Sequence, residues 1–172
     1  MGIGGIGMSA LARYFMHEGC AVAGYDRTAT PLTAQLEAEG ALIHYDDSVD
    51  AIPAEFLERD TVVVYTPAVP ADHSEMCYFH ENGYRMLKRS QMLGELSVGK
   101  YVMAVAGTHG KTTTSTLVSW LNYAAAGEGS ASWVACRRIS RAIWCWAQVA
   151  DLLLRQMSST ARSCSSIQIW LL

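Results

Sequence analysis

Residues 2–26 read GIGGIGMSALARYFMHEGCAVAGYD, and this stretch decides the fold class. Its opening residues, 2–7, satisfy G-x-G-x-x-G, a pattern in which the glycines let a backbone turn approach a diphosphate closely. The segment 9–18 that follows is typical of a helix, and the apolar run 20–25 is typical of a buried strand that ends at Asp26. A glycine loop, a helix and a strand in this order predict a nucleotide-binding α/β unit.

Strand-like and helix-like segments alternate along roughly the first 125 residues. Thr30 followed by Pro31 predicts a helix with a capping threonine and a proline in its first turn. We expect further strands at 42–45, 61–65, 85–87 and 101–106 and further helices at 74–82, 90–97 and 111–124. This alternation with short connections predicts an α/β fold built on a Rossmann-like, doubly wound parallel sheet.

The chain is expected to divide into three parts. Residues 1–99 are expected to form a Rossmann-like domain whose first strand is missing, because the chain begins directly on the glycine loop. The sheet would then have an exposed edge where that strand should lie, and such an edge invites aggregation. Residues 100–132 are expected to begin a second α/β domain, and residues 133–172 to form an irregular tail.

A second glycine-bearing loop lies within AVAGTHGKTTTST at 104–116. A strand entering such a turn and a helix leaving it direct backbone N–H groups at one point, where the helix N-terminus adds partial positive charge. Lys111 can then reach the terminal phosphates of a nucleotide, and the Thr112 hydroxyl can ligate Mg²⁺. The match to G-x-x-x-x-G-K-[ST] is incomplete, because Val105 stands where the first glycine is expected. The sequence predicts a related but distinct phosphate loop consisting of Gly107, Thr108, His109, Gly110, Lys111, Thr112 and Thr113.

Some polar residues keep more than one interpretation. Asp26 can bond a nucleotide ribose or cap its own loop. His109 can touch a nucleotide with its ring or only through its backbone. Other polar residues carry no recognisable site pattern, namely His17, His44, His73, His80 and the solvated turn at Asp46-Asp47.

Composition excludes some classes of function. The net charge of −3 gives no basic surface for nucleic acid, and we expect no nucleic-acid partner. No apolar run approaches the ~18 residues that cross a bilayer, so no membrane association is expected. The five cysteines have neither metal-type nor disulfide-type spacing, which predicts free thiols in a reducing cytoplasm.

Three stretches in this order resemble the Mur ligases of peptidoglycan synthesis. They are GIGGIGMSALA at 2–12, YTPAVPADHSE at 65–75 followed by RSQMLGEL at 89–96, and VAGTHGKTTT at 105–114. Each motif alone is only moderately specific, whereas their order and spacing together are highly specific. The resemblance covers residues 2 to about 131.

The resemblance implies a cytoplasmic ligase whose first domain binds a UDP-sugar rather than NAD. It places Gly4, Gly5, Ile6 and Gly7 at the diphosphate, with Asp26 and Thr66 lining the site. It also implies that Gly107 to Thr113 bind ATP, with Lys111 as the catalytic residue and Thr112 on Mg²⁺. ATP would phosphorylate the lactyl carboxylate of UDP-N-acetylmuramate, and the amine of L-alanine would attack the resulting acyl phosphate. The family's acidic magnesium motif and its amino-acid-binding domain are not found in these 172 residues, so we expect this polypeptide to be inactive in ligation.

Two other classes of function fit parts of the sequence. The glycine loop and Asp26 are also the fingerprint of a NAD-dependent oxidoreductase, although that interpretation leaves the phosphate loop unexplained. A regulatory module that senses a nucleotide sugar, with the tail as an interaction segment, is the third class.

The tail from Trp133 has a composition of its own. It has no glycine, proline or lysine, but it has five arginines, three cysteines and four of the five tryptophans of the chain. Read from the third base of the Leu154 codon with permitted codons, Leu154 to Ser163 can spell Glu-Ala-Asp-Glu-Phe-Asp-Arg-Ser-Phe. That peptide resembles the missing acidic motif of the family. We therefore expect residues 133–172 to be translated out of frame, to lack a packed structure and to contribute no binding residue.

Overall fold

The computed structural model describes residues 2–70, 72–98, 103–126 and 167–172. These residues belong to two compact units. The first unit comprises the described residues up to 98 together with 167–172, and the second comprises 103–126. Most of the tail, residues 127–166, lies outside the described residues, and so does the prediction made for it.

The first unit is built on a five-stranded sheet in which every pair of neighbouring strands is parallel. Its strands are β1 (Ala21–Tyr25), β2 (Leu42–His44), β3 (Val62–Tyr65), β4 (Arg85–Lys88) and β5 (Gln168–Leu171). Their spatial order is β2-β1-β5-β3-β4. This arrangement confirms the predicted α/β class and parallel sheet.

The described residues of this unit include four α-helices. They are α1 (Ile6–His17), α2 (Pro31–Ala38), α3 (Ser74–Glu81) and α4 (Arg89–Ser97), with 3-10 turns at Val49–Ala51 and Ala54–Leu57. The predicted cap of α2 is present, because the Thr30 hydroxyl accepts the Thr33 N–H while Thr33 Oγ1 accepts the Thr30 N–H. Such reciprocal capping satisfies two N–H groups that a helix start leaves unpaired.

The sheet separates two apolar clusters. On one face, α1 buries an i, i+3, i+4, i+7 stripe (Met8, Leu11, Ala12 and Phe15) against residues that include Val22 and Ile169. On the other face, Phe56, Phe79 and Trp170 form an aromatic cluster. A sheet covered on both faces accounts for strands that read as nearly continuous apolar runs.

The position of β5 corrects two predictions about this unit. The sheet has no open place between β1 and β3, because β5 lies there and pairs in parallel with both. The tail is therefore packed at its end, where Ile169, Trp170, Leu171 and Leu172 are at most 1% exposed. The prediction of an irregular tail failed here because strand pairing between residues more than a hundred positions apart leaves no local signal. The out-of-frame origin of the tail stays a prediction.

The two ends of the chain occupy neighbouring places along β1. Leu171 is the register partner of Gly24, and the Ile3 N–H donates to the carbonyl of Tyr25, the next residue of β1, at 3.0 Å. Residues 167–172 thus take the place of a strand that runs directly into the glycine loop.

The second unit contains one helix, α5 (Lys111–Ala126), and the segment that precedes it. The strand predicted at 101–106 is wrong for residues 103–106, which are not in a strand, whereas residues 101 and 102 lie outside the described residues. A single strand without neighbours has no backbone partners and is not stable in water. Three large apolar side chains of α5, Leu117, Trp120 and Leu121, are between 57 and 64% exposed.

The prediction that the cysteines form no disulfide is correct for Cys77 and wrong for Cys20. Cys77 is in no disulfide, whereas Cys20, just before β1, forms one. Sequence spacing does not show which cysteines meet in space, so this bond had no signal in the sequence.

Gly24 allows β1 and β5 to approach each other. A Cβ added at Gly24 would lie 2.1 Å from the Leu171 carbonyl oxygen, which is backbone and cannot move aside. We expect Gly24→Ala to lower the free energy of unfolding by about 2–3 kcal/mol, as overpacking does. The matched control is Gly94→Ala within α4, where an added Cβ meets nothing within 4 Å. The control should gain about 0.5–1 kcal/mol from helix propensity. Urea unfolding of both variants checks this, and equal stabilities would contradict the placement of β5.

Candidate active site

The glycine loop is held in place by the carboxylate of Asp26. Asp26 lies at the end of β1 and is 5% exposed, and its Oδ2 accepts the Gly4 N–H at 2.8 Å. Its Oδ1 accepts the Thr28 N–H at 3.2 Å. Of the two interpretations left open for Asp26, loop capping is the one seen, because both carboxylate oxygens bind backbone.

The predicted diphosphate residues lie at the start of α1. Gly5 is the N-cap of the helix, and Ile6 and Gly7 are its first two residues. The first N–H groups of a helix have no intrahelical acceptor, and the helix dipole makes this end partly positive. This end of α1 could hold an anion, and the diphosphate site stays a prediction. Gly4 has no room for a side chain, because Thr33 and Asp26 lie 2.6 and 2.8 Å from the place of an added Cβ.

Arg89 adds a full positive charge above this loop. A Cβ built on Gly7 would lie 2.4 Å from Arg89 Nη1, so the guanidinium covers the first turn of α1. Arg89 is the first residue of α4, which follows β4 at the same edge of the sheet. The sequence did not single out Arg89, although the motif RSQMLGEL contains it, because its approach to Gly7 is a long-range contact.

Thr66, the other predicted lining residue, follows β3 at the carboxyl edge. Its N–H donates to the Leu172 carbonyl at 3.3 Å, and its own carbonyl accepts the Val69 N–H at 3.1 Å. The glycine loop, Asp26 and Thr66 thus all lie at the edge where open α/β sheets bind ligands.

A buried polar cluster lies at the same edge, formed by His44, His73, Glu75 and Trp170. The indole N–H of Trp170 donates to Glu75 Oε2 at 2.9 Å, and His44 Nε2 lies 3.2 Å from Glu75 Oε1. His73 Nδ1 lies 3.5 Å from Asp47 Oδ1. No sequence pattern assigned these residues a site role, because they come from two strands, a helix and the loop before that helix, with no common spacing.

The pKa shifts in this cluster oppose an ion pair. Burial raises the pKa of the Glu75 carboxyl to about 8, and Glu75 is 0% exposed. Burial also lowers the pKa of His44 and that of His73. Near neutral pH the carboxyl therefore keeps its proton and both imidazoles are neutral.

The proton positions follow from the hydrogen-bond partners. His44 Nδ1 lies 3.0 Å from the Asp46 carbonyl oxygen, which can only accept, so Nδ1 carries the imidazole proton. His44 Nε2 is then an acceptor. A protonated Glu75 Oε1 can donate to it, which gives partners to two buried atoms that otherwise have none.

The predicted phosphate loop of the second unit turns at two glycines, and its role stays a prediction. Gly107 and Gly110 have φ angles of 152° and 76°, which glycine adopts more readily than other residues. Lys111 Nζ donates to the carbonyls of Gly107 at 2.7 Å and Thr108 at 3.0 Å, so its amine lies over the loop. Thr112 and Thr113 are exposed in the first turn of α5, and His109 is exposed in the loop before it.

Within the described ranges, no group of three or more His, Cys, Asp or Glu side chains is arranged to hold a metal ion. No helix in the described part of the chain is long and apolar enough to span a bilayer.

The state of Glu75 predicts a pH-dependent stability. A carboxyl whose pKa rises from 4.5 to about 8 on folding stabilises the protein below pH 4.5, and that stability is lost as the pH rises through 8. Glu75→Gln reproduces the hydrogen bonds of the protonated carboxyl, because the glutamine NH₂ can donate to His44 and its oxygen can accept from Trp170. We expect the variant to melt at least ~5 °C above the parent at pH 9 and close to it at pH 5. The control is Glu81→Gln at the exposed end of α3. Parallel melting curves from pH 5 to 9 would contradict a neutral Glu75.

Comparison with known proteins agrees with this arrangement. Residues 1–101 match the Mur ligase family, catalytic domain. Over 122 residues the chain is 56% identical to a UDP-N-acetylmuramate–L-alanine ligase of Porphyromonas gingivalis strain W83, covering 70% of this chain and 27% of that protein. Proteins of the same name from Cytophaga hutchinsonii and Flavobacterium johnsoniae are 54% identical over 120 residues and 51% identical over 118, each covering 69% of this chain and 26% of the relative.

The chain spans about a quarter of the length of these curated relatives. The family match, by contrast, covers more than half of the 172 residues of this chain. The resemblance drawn from the three sequence motifs is confirmed, and the chain belongs to the Mur ligase family.

Proposed function

We propose that the chain is part of a UDP-N-acetylmuramate–L-alanine ligase, in which its first unit binds the nucleotide sugar and its second unit binds ATP, and that these 172 residues alone do not carry out ligation. The observation that carries this proposal is the glycine loop, which Asp26 fixes and Arg89 covers. The names of the relatives supply the substrates, because geometry alone identifies only an anion.

In the first unit, the diphosphate of the nucleotide sugar would lie beside the turn formed by Gly4 and Gly5 and against the backbone N–H groups of Ile6 and Gly7. The Gly4 N–H donates to Asp26 and the Gly5 N–H to the Gly2 carbonyl, so these two hold the turn. The partial charge of the α1 N-terminus and the guanidinium of Arg89 would offset its negative charge. Asp26 would act by positioning, because its oxygens bind the Gly4 and Thr28 N–H groups. Thr66 would line the site from the end of β3.

In the second unit, residues Gly107 to Thr113 would surround the phosphates of ATP. Lys111 Nζ would leave the two loop carbonyls that it contacts and turn to the terminal phosphates. The Thr112 hydroxyl would be a ligand for Mg²⁺, which neutralises phosphate charge when bound. These residue types fit the group, since the loop offers an amine, a hydroxyl and helix-start N–H groups at one point.

The proposed chemistry is the activation of a carboxylate. The lactyl carboxylate would take the γ-phosphoryl group of ATP and release ADP, and the amine of L-alanine would then displace phosphate and form the amide. Lys111 would stabilise the charge that develops on the transferring phosphoryl group. The proposal includes a cytoplasmic location, where ATP is available.

A NAD-dependent oxidoreductase is the competing interpretation of the glycine loop. It would use Asp26 to bond the adenosine ribose of NAD, but the two oxygens of Asp26 already accept backbone N–H groups. Titration calorimetry with UDP-N-acetylmuramate and with NADH separates the two functions. Tight binding of NADH and none of the UDP-sugar would overturn the proposal.

Arg89 provides a test of the diphosphate site. Arg89→Ala should weaken UDP-N-acetylmuramate binding about tenfold, as the loss of a charge-assisted contact does. Arg85→Ala is the matched control, because Arg85 lies at the start of β4 and pairs with the exposed Glu95 at 2.8 Å. Calorimetry on both variants measures the effect. Equal affinities would remove Arg89 from the site.

Lys111 provides a separate test of the phosphate loop. The amine is the only full positive charge within residues 107–113, so Lys111→Ala should abolish whatever ATP binding the chain shows. The control is Ser119→Ala, about two turns further along α5. The Ser119 hydroxyl donates to the Ser115 carbonyl and lies outside the loop. Fluorescence titration with a labelled ATP analogue checks both. Unchanged affinity in Lys111→Ala would refute the assignment.

A further inference from the structure

The middle of the sheet is a slot between β1 and β3 that one strand fills. Val22 and Val62 are both register partners of Ile169, so neither β1 nor β3 can satisfy its inner row of backbone groups without a strand between them. The Leu172 N–H donates to the Val64 carbonyl at 2.9 Å, and the Leu172 carbonyl accepts the Thr66 N–H at 3.3 Å. Backbone pairing of this kind does not depend on which side chains the strand carries.

Side-chain pockets on the two faces of the slot fix the register of its occupant. Ile169 and Leu171 lie in the cluster beneath α1, whereas Trp170 and Leu172 lie in the aromatic cluster on the opposite face. The indole of Trp170 has its ring centre 5.5 Å from that of Phe56 and 5.8 Å from that of Phe79. A slip of one residue would exchange the faces and remove the indole from its pocket.

Two polar contacts add selectivity within this apolar slot. The Trp170 N–H donates to the buried Glu75 carboxyl at 2.9 Å. At the other end of the strand, the Thr61 hydroxyl donates to Gln168 Oε1 at 3.0 Å. The slot therefore fits an extended apolar segment with an amide side chain at one end and an indole two residues later.

The occupant reaches the slot from far away in the sequence. Residues 127–166 separate β5 from the last described residue of α5, and none of the described contacts of β5 depends on that connection. Attachment of this segment to the start of the chain is also compatible with the register. Leu171 is the register partner of Gly24, and the Ile3 N–H donates to the carbonyl of Tyr25, the next residue of β1.

We propose that the slot between β1 and β3 is a strand-binding site that recognises residues 167–172 by pairing and pocket contacts, whatever their attachment to the chain. A separate peptide of this sequence can then fill the slot, and so can the same segment when it is joined to the start of the chain. This goes beyond nucleotide binding, and none of its readouts involves a nucleotide.

The first test empties the slot in the full chain and refills it in trans. Ile169→Pro with Leu171→Pro removes two backbone N–H donors from β5 and prevents its pairing. A fluorescein-labelled peptide of residues 165–172 with two added lysines is the probe, and the same peptide with both prolines is the control. The measurements are thermal unfolding and fluorescence anisotropy, with reductant present because Cys20 forms a disulfide.

The peptide should raise the melting temperature of the proline variant by at least ~5 °C. It should also bind this variant at least tenfold more tightly than the parent chain, whose slot is filled, and the proline peptide should do neither. Failure of the peptide to raise the melting temperature, or equal binding to both chains, would overturn the proposal.

A second chain decides the question if the proline variant does not fold. Residues 163–172 are moved ahead of Gly2 through a three-residue glycine-serine linker that replaces Met1. We expect this chain to melt cooperatively within ~5 °C of the parent. Loss of the cooperative transition would show that the slot depends on the original attachment, and would overturn the proposal.

Discussion

The pairing of β5 with both β1 and β3 is the interaction on which the first unit depends. Two rows of backbone donors and acceptors face each other across the width of one strand, and both rows are buried under helices or aromatic side chains. A buried backbone group without a partner costs about as much as a lost hydrogen bond, and the rows contain several such groups. The four apolar residues from Ile169 to Leu172 add burial on both faces at about 1.5–3 kcal/mol each.

The same pairing arranges the candidate site. Asp26 follows β1 and Thr66 follows β3, so the distance between them is set by the strand that separates β1 from β3. The Thr66 N–H contacts Leu172 directly, and Glu75 accepts the indole N–H of Trp170. The glycine loop, Thr66 and the neutral carboxyl of Glu75 are thus arranged around one strand.

Local signals predicted most of the fold, because each rests on a few neighbouring residues. The threonine cap of α2, the glycine loop at the start of α1 and the alternation of elements all follow from chemistry within one turn of chain. The features that the sequence could not show depend on contacts between elements that are far apart along the chain. The approach of Arg89 to Gly7 joins α4 to α1, and the contact of His44 with Glu75 joins β2 to α3. The strand predicted at 101–106 failed for the opposite reason: its local signal was strong, but residues 103–106 have no strand beside them in the described structure.

The packed end of the tail does not decide whether the tail was translated out of frame. The central strand of a parallel sheet is apolar on both faces, so a segment such as IQIWLL meets its main requirement without any alternation of polar and apolar residues. Chance apolarity would explain burial, but it would not explain partners for polar groups. Both polar side chains of β5 have partners, Gln168 with Thr61 and Trp170 with Glu75. Of these, the contact with Glu75 is the more demanding, because a carboxyl buried without a donor would be costly and the Trp170 indole lies where it can donate. The two polar contacts therefore act together with the apolar pockets in setting the register of β5.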